Sequence, residues 1–380
     1  MARLGDIATY INGYAFKPSD WSAQGLPIIR IQDLTGNSYQ ANHYNGKYDT
    51  KYEVVPGDVL ISWSASLGVY VWQGEKALLN QHIFKVVFDK ADVDKSFFIH
   101  QLKSILEKAK GDAHGATMKH LTKPVFDELP FYLPSKEKQV QIATELNTVC
   151  KLIEQRKEQI SKLDELVKAR FVELFGDPVI NPKGWDMPLI EEVVANEKNA
   201  LKAGPFGSAL KKEYYVSSGY KIYGQEQVIS GDHTFGDYYI DEERYKSLEN
   251  CAVQAGDVLI SLVGTYGKLL IMPEEFEPGI INPRLMKITF DKKRVNPYYF
   301  KHYFQSDSLK KALAENTHGG TMDILNLGIV RKLAMPLPPL ELQNEFITFV
   351  EQIDKSKFEV QQSLEKLETL KKSLMQQYFG

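Results

Sequence analysis

Pro56-Gly57-Asp58-Val59-Leu60-Ile61-Ser62 returns far along the chain as Ala255-Gly256-Asp257-Val258-Leu259-Ile260-Ser261. A short apolar run entered through Gly-Asp is ordinary by itself; its return is not. His114-Gly115-Ala116-Thr117-Met118 returns as His318-Gly319-Gly320-Thr321-Met322. Leu133-Pro134, followed by Glu137 and Gln139, returns as Leu337-Pro338, followed by Glu341 and Gln343. Phe175-Gly176 returns as Phe379-Gly380. The order is the same in both halves, so the 380-residue chain is one unit of about 200 residues written twice. Between the anchors, Ile28 to Lys51 and Lys221 to Lys246 share little. A recurring frame with unlike inserts suits two readers of different targets; plain drift after duplication is the competing explanation.

Each copy ends in a long helical pattern. Ile142, Leu146, Val149, Ile153, Arg156, Ile160, Leu163, Val167, Arg170 and Leu174 alternate in steps of four and three. Phe346, Val350, Ile353, Lys357, Val360, Leu364, Leu367, Lys371, Leu374 and Tyr378 repeat that spacing. This is a coiled-coil seam, interrupted twice in each copy by a basic residue. A long basic side chain can lay its stem on such a seam and keep its charge in water. The helices start after Pro134 and Pro338-Pro339, and the first stops at Gly176-Asp177-Pro178. About 40 residues of helix span about 60 Å. The remaining faces are polar, so each seam needs a partner. Antiparallel pairing of the two helices would hold the lobes at opposite ends of a rod; packing of each helix on its own lobe is the alternative.

The lobes read as α+β with mainly antiparallel strands. Strand-like runs fall at Leu26 to Ile31, Val59 to Ser62, Val69 to Trp72, Phe84 to Phe88, Val258 to Leu262, Leu269 to Met272 and Leu285 to Phe290. A helix follows at about Ser96 to Lys110 and at Pro297 to Ala314. The expected fold is thus two similar globular domains separated by two long helices pairing as an antiparallel coiled coil, with an internal pseudo-two-fold repeat.

Composition bounds the partners. Hydrophobic residues make up 43% and charged residues 25%, as in ordinary soluble domains. No apolar run approaches the roughly 20 residues that cross a bilayer, so no membrane partner is expected. Met1-Ala2-Arg3-Leu4-Gly5-Asp6 lacks a signal-peptide core. Cys150 and Cys251 have no pairing or metal spacing and read as reduced thiols of a cytoplasmic protein. A net charge of −3 argues against coating DNA by charge alone but leaves room for local basic patches.

Catalytic signatures are missing. Asn296-Pro297-Tyr298-Tyr299 resembles an amino-methyltransferase motif but lacks its second proline, and no cofactor loop precedes it. Gly264-Thr265-Tyr266-Gly267-Lys268 is too short for a P-loop. His114 and His318 have no second ligand at metal spacing, so no metal is expected. The loops Gly13-Tyr14-Ala15-Phe16-Lys17 and Gly204-Pro205-Phe206-Gly207-Ser208 occupy equivalent places. Glycine lets backbone N–H groups approach phosphate, and an ordinary turn is the competing reading of each.

Several of these features together resemble the specificity subunit of type I restriction–modification systems. They are the Gly57–Ser62 run with its copy, the Leu337-Pro338-Pro339-Leu340-Glu341-x-Gln343 helix entry, and Phe175-Gly176-Asp177-Pro178 leading to Asn181-Pro182-Lys183-Gly184-Trp185. The resemblance covers essentially the whole chain. It implies target-recognition domains at 1–134 and 177–336, the latter opening with a linker at 177–185, and spacer helices at 135–176 and 337–380. Each recognition domain would read one half of a bipartite site in double-stranded DNA. Two modification subunits carrying S-adenosylmethionine would dock on the assembly, and restriction subunits would join to cut. This chain would hold no catalytic group and no cofactor. Ser135-Lys136 stands where the second copy has Pro339-Leu340, so the two helix starts offer different docking chemistry. A helical scaffold that binds protein without touching DNA is the alternative.

Candidate phosphate contacts are Lys17, His114, Thr117, Lys119, Lys123, Lys211, Lys212, Thr265, Lys268, Arg284, His318 and Thr321. Base edges are read by forked polar side chains. The divergent inserts supply Arg30, Gln32, Asn37, Gln40, Asn42 and Lys47 in the first lobe, and Gln225, Gln227, His233 and Arg244 in the second. Solvation of a loop is the competing reading of each.

Overall fold

The computed structural model describes residues 1–36, 42–64, 67–111, 122–206, 208–262, 268–315 and 325–380. Two compact units emerge, Met1–Glu158 with Gln361–Gly380, and Gln159–Val360. Among the described residues no helix is long and apolar enough to cross a membrane.

The first unit runs β1 (Ala2–Arg3), α1 (Leu4–Ile7), β2 (Thr9–Asn12), β3 (Leu26–Ile29), α2 (Ile31–Leu34), β4 (His43–Tyr44), β5 (Glu53–Val54), β6 (Val59–Ser62), β7 (Gly68–Val71), β8 (Ala77–Leu79), β9 (Ile83–Val87), α3 (Lys95–Gly111), α4 (Lys123–Asp127) and β10 (Pro130–Phe131). The long helix α5 (Lys136–Phe175) follows. One sheet is antiparallel in the order β2-β9-β6-β7; a second is ordered β4-β3-β8-β5, with β3 and β8 parallel. The recurring apolar run is the buried strand β6. Alternation sends its side chains to opposite faces. Val59 and Ile61 join Phe84, Phe97, Phe98 and Leu102 in the core under α3, while Leu60 joins Ile29, Val54 and Leu79 between the sheets.

The second unit repeats this plan. It contains β11 (Leu201–Ala203), β12 (Tyr220–Tyr223), α6 (Gln225–Ser230), β13 (Tyr239–Ile240), α7 (Glu242–Ser247), β14 (Val258–Ser261), β15 (Leu269–Ile271), β16 (Gly279–Ile281), β17 (Leu285–Ile288), α8 (Pro297–Phe304), α9 (Asp307–Glu315), α10 (Leu327–Arg331) and the first half of the long helix α11 (Leu340–Phe379). Its sheets are β11-β17-β14-β15 and β13-β12-β16, with β12 and β16 parallel. Val258 and Ile260 again face one core and Leu259 the other.

The Gly-Asp that enters each strand is a turn. Gly57 and Gly256 have φ of 94° and 84°, conformations that favour glycine. The Asp58 carboxylate accepts the Val55 N–H at 2.9 Å, and that of Asp257 accepts the Gln254 N–H at 2.9 Å. The single helix expected from Pro297 to Ala314 is two helices. α8 ends at Phe304, and Ser306 opens α9 by accepting the Leu309 and Lys310 N–H groups.

Every seam position foreseen in α5 and α11 is buried or half-buried. Within the first unit, the start of α5 lies beside the end of α11. Tyr378 donates its hydroxyl to Glu145, Lys157 pairs with Glu368, and Ile142, Leu146, Leu374 and Phe379 join the lobe's core. Within the second unit, the end of α5 lies beside the start of α11. Phe171 and Phe175 each pack edge-on against Phe346 at 5.5 Å. The helices are antiparallel in both units. Of the seam interruptions, Lys357 pairs with Asp164 and Arg170 with Glu345, both across the helix pair. Such half-exposed pairs contribute little, about 0–1 kcal/mol each. Each helix therefore serves both lobes rather than only its own.

Candidate nucleic-acid interface

The glycine loops are held by the frame. Gly13 donates its N–H to Ile83 O at 3.1 Å, and Gly204 donates to Leu285 O at 2.9 Å. A Cβ at Gly13 would lie 2.0 Å from Asn80 O, and one at Gly204 would lie 1.9 Å from Asn282 O. Both glycines are required by close strand contact, and their N–H groups are spent within the fold. The residues that follow are the exposed part: Tyr14 in the first lobe and Phe206, 91% exposed, in the second.

In the first lobe Tyr14 meets Phe16 at 4.9 Å and Tyr52 at 5.6 Å, and Phe16 meets Tyr44 at 5.1 Å. Tyr14, Tyr44, Tyr48 and Tyr52, with Lys47, Asp49 and Lys51, line an open cavity of about 300 Å³. Lys51 lies over the Tyr52 ring at 4.9 Å and pairs with Asp49. Aromatic faces interleaved with lysines offer both stacking and charge to a nucleic acid. Arg30 lies over the Trp21 ring at 5.8 Å and beside Asp33 at 3.8 Å. Lys17 and Lys47 are exposed and Gln32 is half-buried. Asn42 is buried. Lys123 sits on α4, paired with Asp127 at 2.6 Å.

In the second lobe Arg284 and Gln225 come together. Arg284 Nη1 donates to Gln225 Oε1 at 3.3 Å, and Gln225 Nε2 donates to Ser261 Oγ at 2.8 Å. Arg244 stacks on the Tyr214 ring at 3.8 Å; Tyr214 follows Lys211-Lys212-Glu213, in which Lys211 pairs with Glu213. Lys268 is exposed and His233 half-buried. Gln227 is buried, with Oε1 accepting the Gly224 N–H at 2.8 Å and Nε2 donating to Phe235 O at 2.7 Å. Asn37, Gln40, His114, Thr117, Lys119, Thr265, His318 and Thr321 lie outside the described residues.

Sequence reasoning missed the tyrosine cluster, Trp21, Tyr214 and Ser261. The spacing Tyr44-x3-Tyr48-x3-Tyr52 was a visible signal for the first. The others are recruited from separate loops, which sequence order hides.

The pattern of the type I restriction modification DNA specificity domain matches residues 1–163 and 182–371. The chain belongs to that family. It is a specificity subunit of a type I restriction–modification system. As such it is non-catalytic; it reads a bipartite DNA site through two recognition domains, and its paired helices set their spacing and dock the partner subunits. Among relatives of this specificity subunit, the EcoBI specificity subunit of Escherichia coli is 23% identical over 99% of this chain and 84% of its own. The MjaVIII specificity subunit of Methanocaldococcus jannaschii is 22% identical over 99% of this chain and 90% of its own. A crystal structure of the S subunit from M. genitalium covers 100% of this chain and 95% of its own, with a TM-score of 0.54 at 14% identity. A chain from a structural study of type I assembly and conformational transition reaches 0.63 over 100% of this chain and 96% of its own, also at 14% identity. These likenesses are of fold.

Proposed function

We propose that residues 1–134 and 177–336 are the two recognition domains, with 177–185 as a linker and 135–176 and 337–380 as spacer helices. The reading rests on one observation: the same two-sheet lobe occurs twice, and its matching edges carry different chemistry. The first lobe presents Lys17, Arg30, Gln32 and Lys47 among tyrosines. The second presents Gln225 and Arg284 in one group, and Lys211, Lys212 and Arg244 around Tyr214 in another. His233 and Lys268 are further candidates of the second lobe, and Lys123 of the first. Arg284, Lys17, Lys123, Lys211, Lys212 and Lys268 serve phosphate; Gln32, Arg30, Lys47, Gln225, His233 and Arg244 serve base edges. Asn42 and Gln227 act as supports. Lys119, Thr117, His114, Thr265, His318 and Thr321 remain candidate phosphate contacts, and Asn37 and Gln40 candidate base readers.

Two modification subunits bring S-adenosylmethionine and the methyl-transfer chemistry, restriction subunits join them, and the assembly works in the cytoplasm on double-stranded DNA. Methylation mapping in cells that express this chain with its partners tests the assignment. The expected motif has two short specified parts separated by unspecified bases, and exchange of residues 1–134 for those of another specificity subunit changes one part only. A continuous motif, or both parts changing together, rejects it.

A further inference from the structure

His82 stands out in the first lobe. Its φ is 75°, in the left-handed region that a non-glycine side chain adopts at a cost. Its Nδ1 is sealed from solvent and has no hydrogen-bond partner among the described residues, and the same holds for Oδ1 of nearby Asn80. The ring lies beside Trp63, with centroids 5.1 Å apart, and Trp63 in turn stacks on Phe84 at 5.7 Å. The Trp63 indole is fixed by donating to Asn12 Oδ1 at 3.2 Å.

The repeat says what this position is. His82 O accepts the Trp63 N–H at 3.2 Å, and Arg284 O accepts the Leu262 N–H at 2.9 Å. Each residue immediately precedes the strand that pairs with the recurring run, β9 or β17, just after the parallel-paired strand. His82 is thus the counterpart of Arg284. In the second lobe the same corner is relaxed. Asn282 Oδ1 accepts the Arg284 N–H at 2.9 Å, and Arg284 is absent from the left-handed residues. In the first lobe Asn80 Oδ1 has no partner among the described residues and the His82 backbone is strained. Neither costly feature has a structural return among the described contacts, and such strain concentrates at functional positions.

We propose that His82 contacts a base edge in the half-site read by the first lobe, presenting Nε2 while Nδ1 faces inward and Trp63 steadies the ring. This rests on the reading of that lobe as a DNA-recognition domain. Two variants test it in the complex assembled with its modification subunits. His82→Gly suits the left-handed backbone and removes the ring; His82→Asn tolerates that backbone and shortens the side chain. Both should melt at or above the temperature of the parent. Both should bind the cognate duplex about tenfold more weakly, as expected for loss of a base contact. Discrimination should fall at one or two base pairs of one half-site and hold in the other. Unchanged affinity and discrimination would overturn the assignment. An equal loss on every duplex sequence would also overturn it, placing His82 on the DNA backbone. A parent complex with no preference for a bipartite duplex would sink the underlying reading as well, whereas a discriminating parent matched by its variants removes His82 alone.

Discussion

Gln139 and Gln343 are counterparts that make the same three hydrogen bonds from the first turn of their helices. Gln139 Oε1 accepts the Asp94 N–H at 2.7 Å, and its Nε2 donates to Asp92 O and Pro134 O. Gln343 Oε1 accepts the Asn296 N–H at 2.9 Å, and its Nε2 donates to Arg294 O and Pro338 O. Both are sealed from solvent, at 1% and 0% exposure. They tie each long helix to the loop that leads into α3 or α8. Gln343→Leu strands one N–H and two carbonyls, so a loss of about 3 kcal/mol is expected. Urea unfolding should show the second unit melting earlier, and Gln139→Leu should do the same to the first.

The two turn aspartates should differ sharply. Asp257 is fully buried, faces the Lys287 ammonium at 3.2 Å and takes a hydrogen bond from Thr289. Its removal leaves a lysine charge uncompensated in the interior. Asp257→Ala should cost about 3–5 kcal/mol. Asp58 is half-exposed, and the first-lobe lysine at the matching place, Lys85, donates to Glu53 O instead. Asp58→Ala should cost about 1 kcal/mol, the value of one exposed turn bond. Equal losses in thermal melts would refute this ranking.

Gly13→Ala and Gly204→Ala should both destabilise, by roughly 2–3 kcal/mol, because the new methyl collides with a backbone carbonyl that cannot rotate away. Gly36, with no described atom within 4 Å of its Cβ direction but a φ of 75°, isolates the backbone term. Gly36→Ala should cost about 1 kcal/mol. Calorimetry on the three variants separates collision from conformation.

The seam of α5 and α11 was legible because a 3.5-residue period survives any background; all twenty foreseen positions are buried or half-buried. The anchors Asp58, Asp257, Gln139 and Gln343 were legible as recurrences but silent about their work, since their partners are backbone groups that sequence does not name. The parallel pairings β3–β8 and β12–β16 were invisible because alternation carries no direction. The candidate interface was hardest. Arg284 meets Gln225, and Arg244 meets Tyr214, only after the chain has folded back on itself.

Acid should weaken the fold through two histidines packed into it. Burial, assisted by the Lys301 charge, pushes His302 down to about 4, and its ring meets Phe346 at 5.0 Å. Its counterpart His100 is also lowered, by burial first. A histidine lowered in the folded state stays neutral there while the unfolded chain takes up its proton. Its contribution is therefore intact above about pH 6.5 and is lost as pH falls toward 4, below which both states are protonated. The His302 loss over that window is about 3 kcal/mol at most. His302→Phe should flatten the acid limb of stability between pH 6.5 and 4, and an unchanged limb would refute the assignment.

Salt should separate charge from base reading. Arg284→Ala should weaken duplex binding on all sequences and reduce the slope of log affinity against log salt by about one. Titrations of the assembled complex at several ionic strengths check this. Loss confined to one base pair at constant slope would make Arg284 a base reader.

The first compact unit is not contiguous: Leu374, Met375, Tyr378 and Phe379 pack against the core begun by Leu4 and Ile7. On the ribosome, the earlier part of this unit therefore waits for a helix made much later. Domains that fold as they emerge can settle early, but this one keeps apolar surface open until α11 has been synthesised. Chains broken off before that helix cannot close the core of the first lobe. They should fall to proteolysis, so that a half-made reader is cleared before it competes for methylating partners.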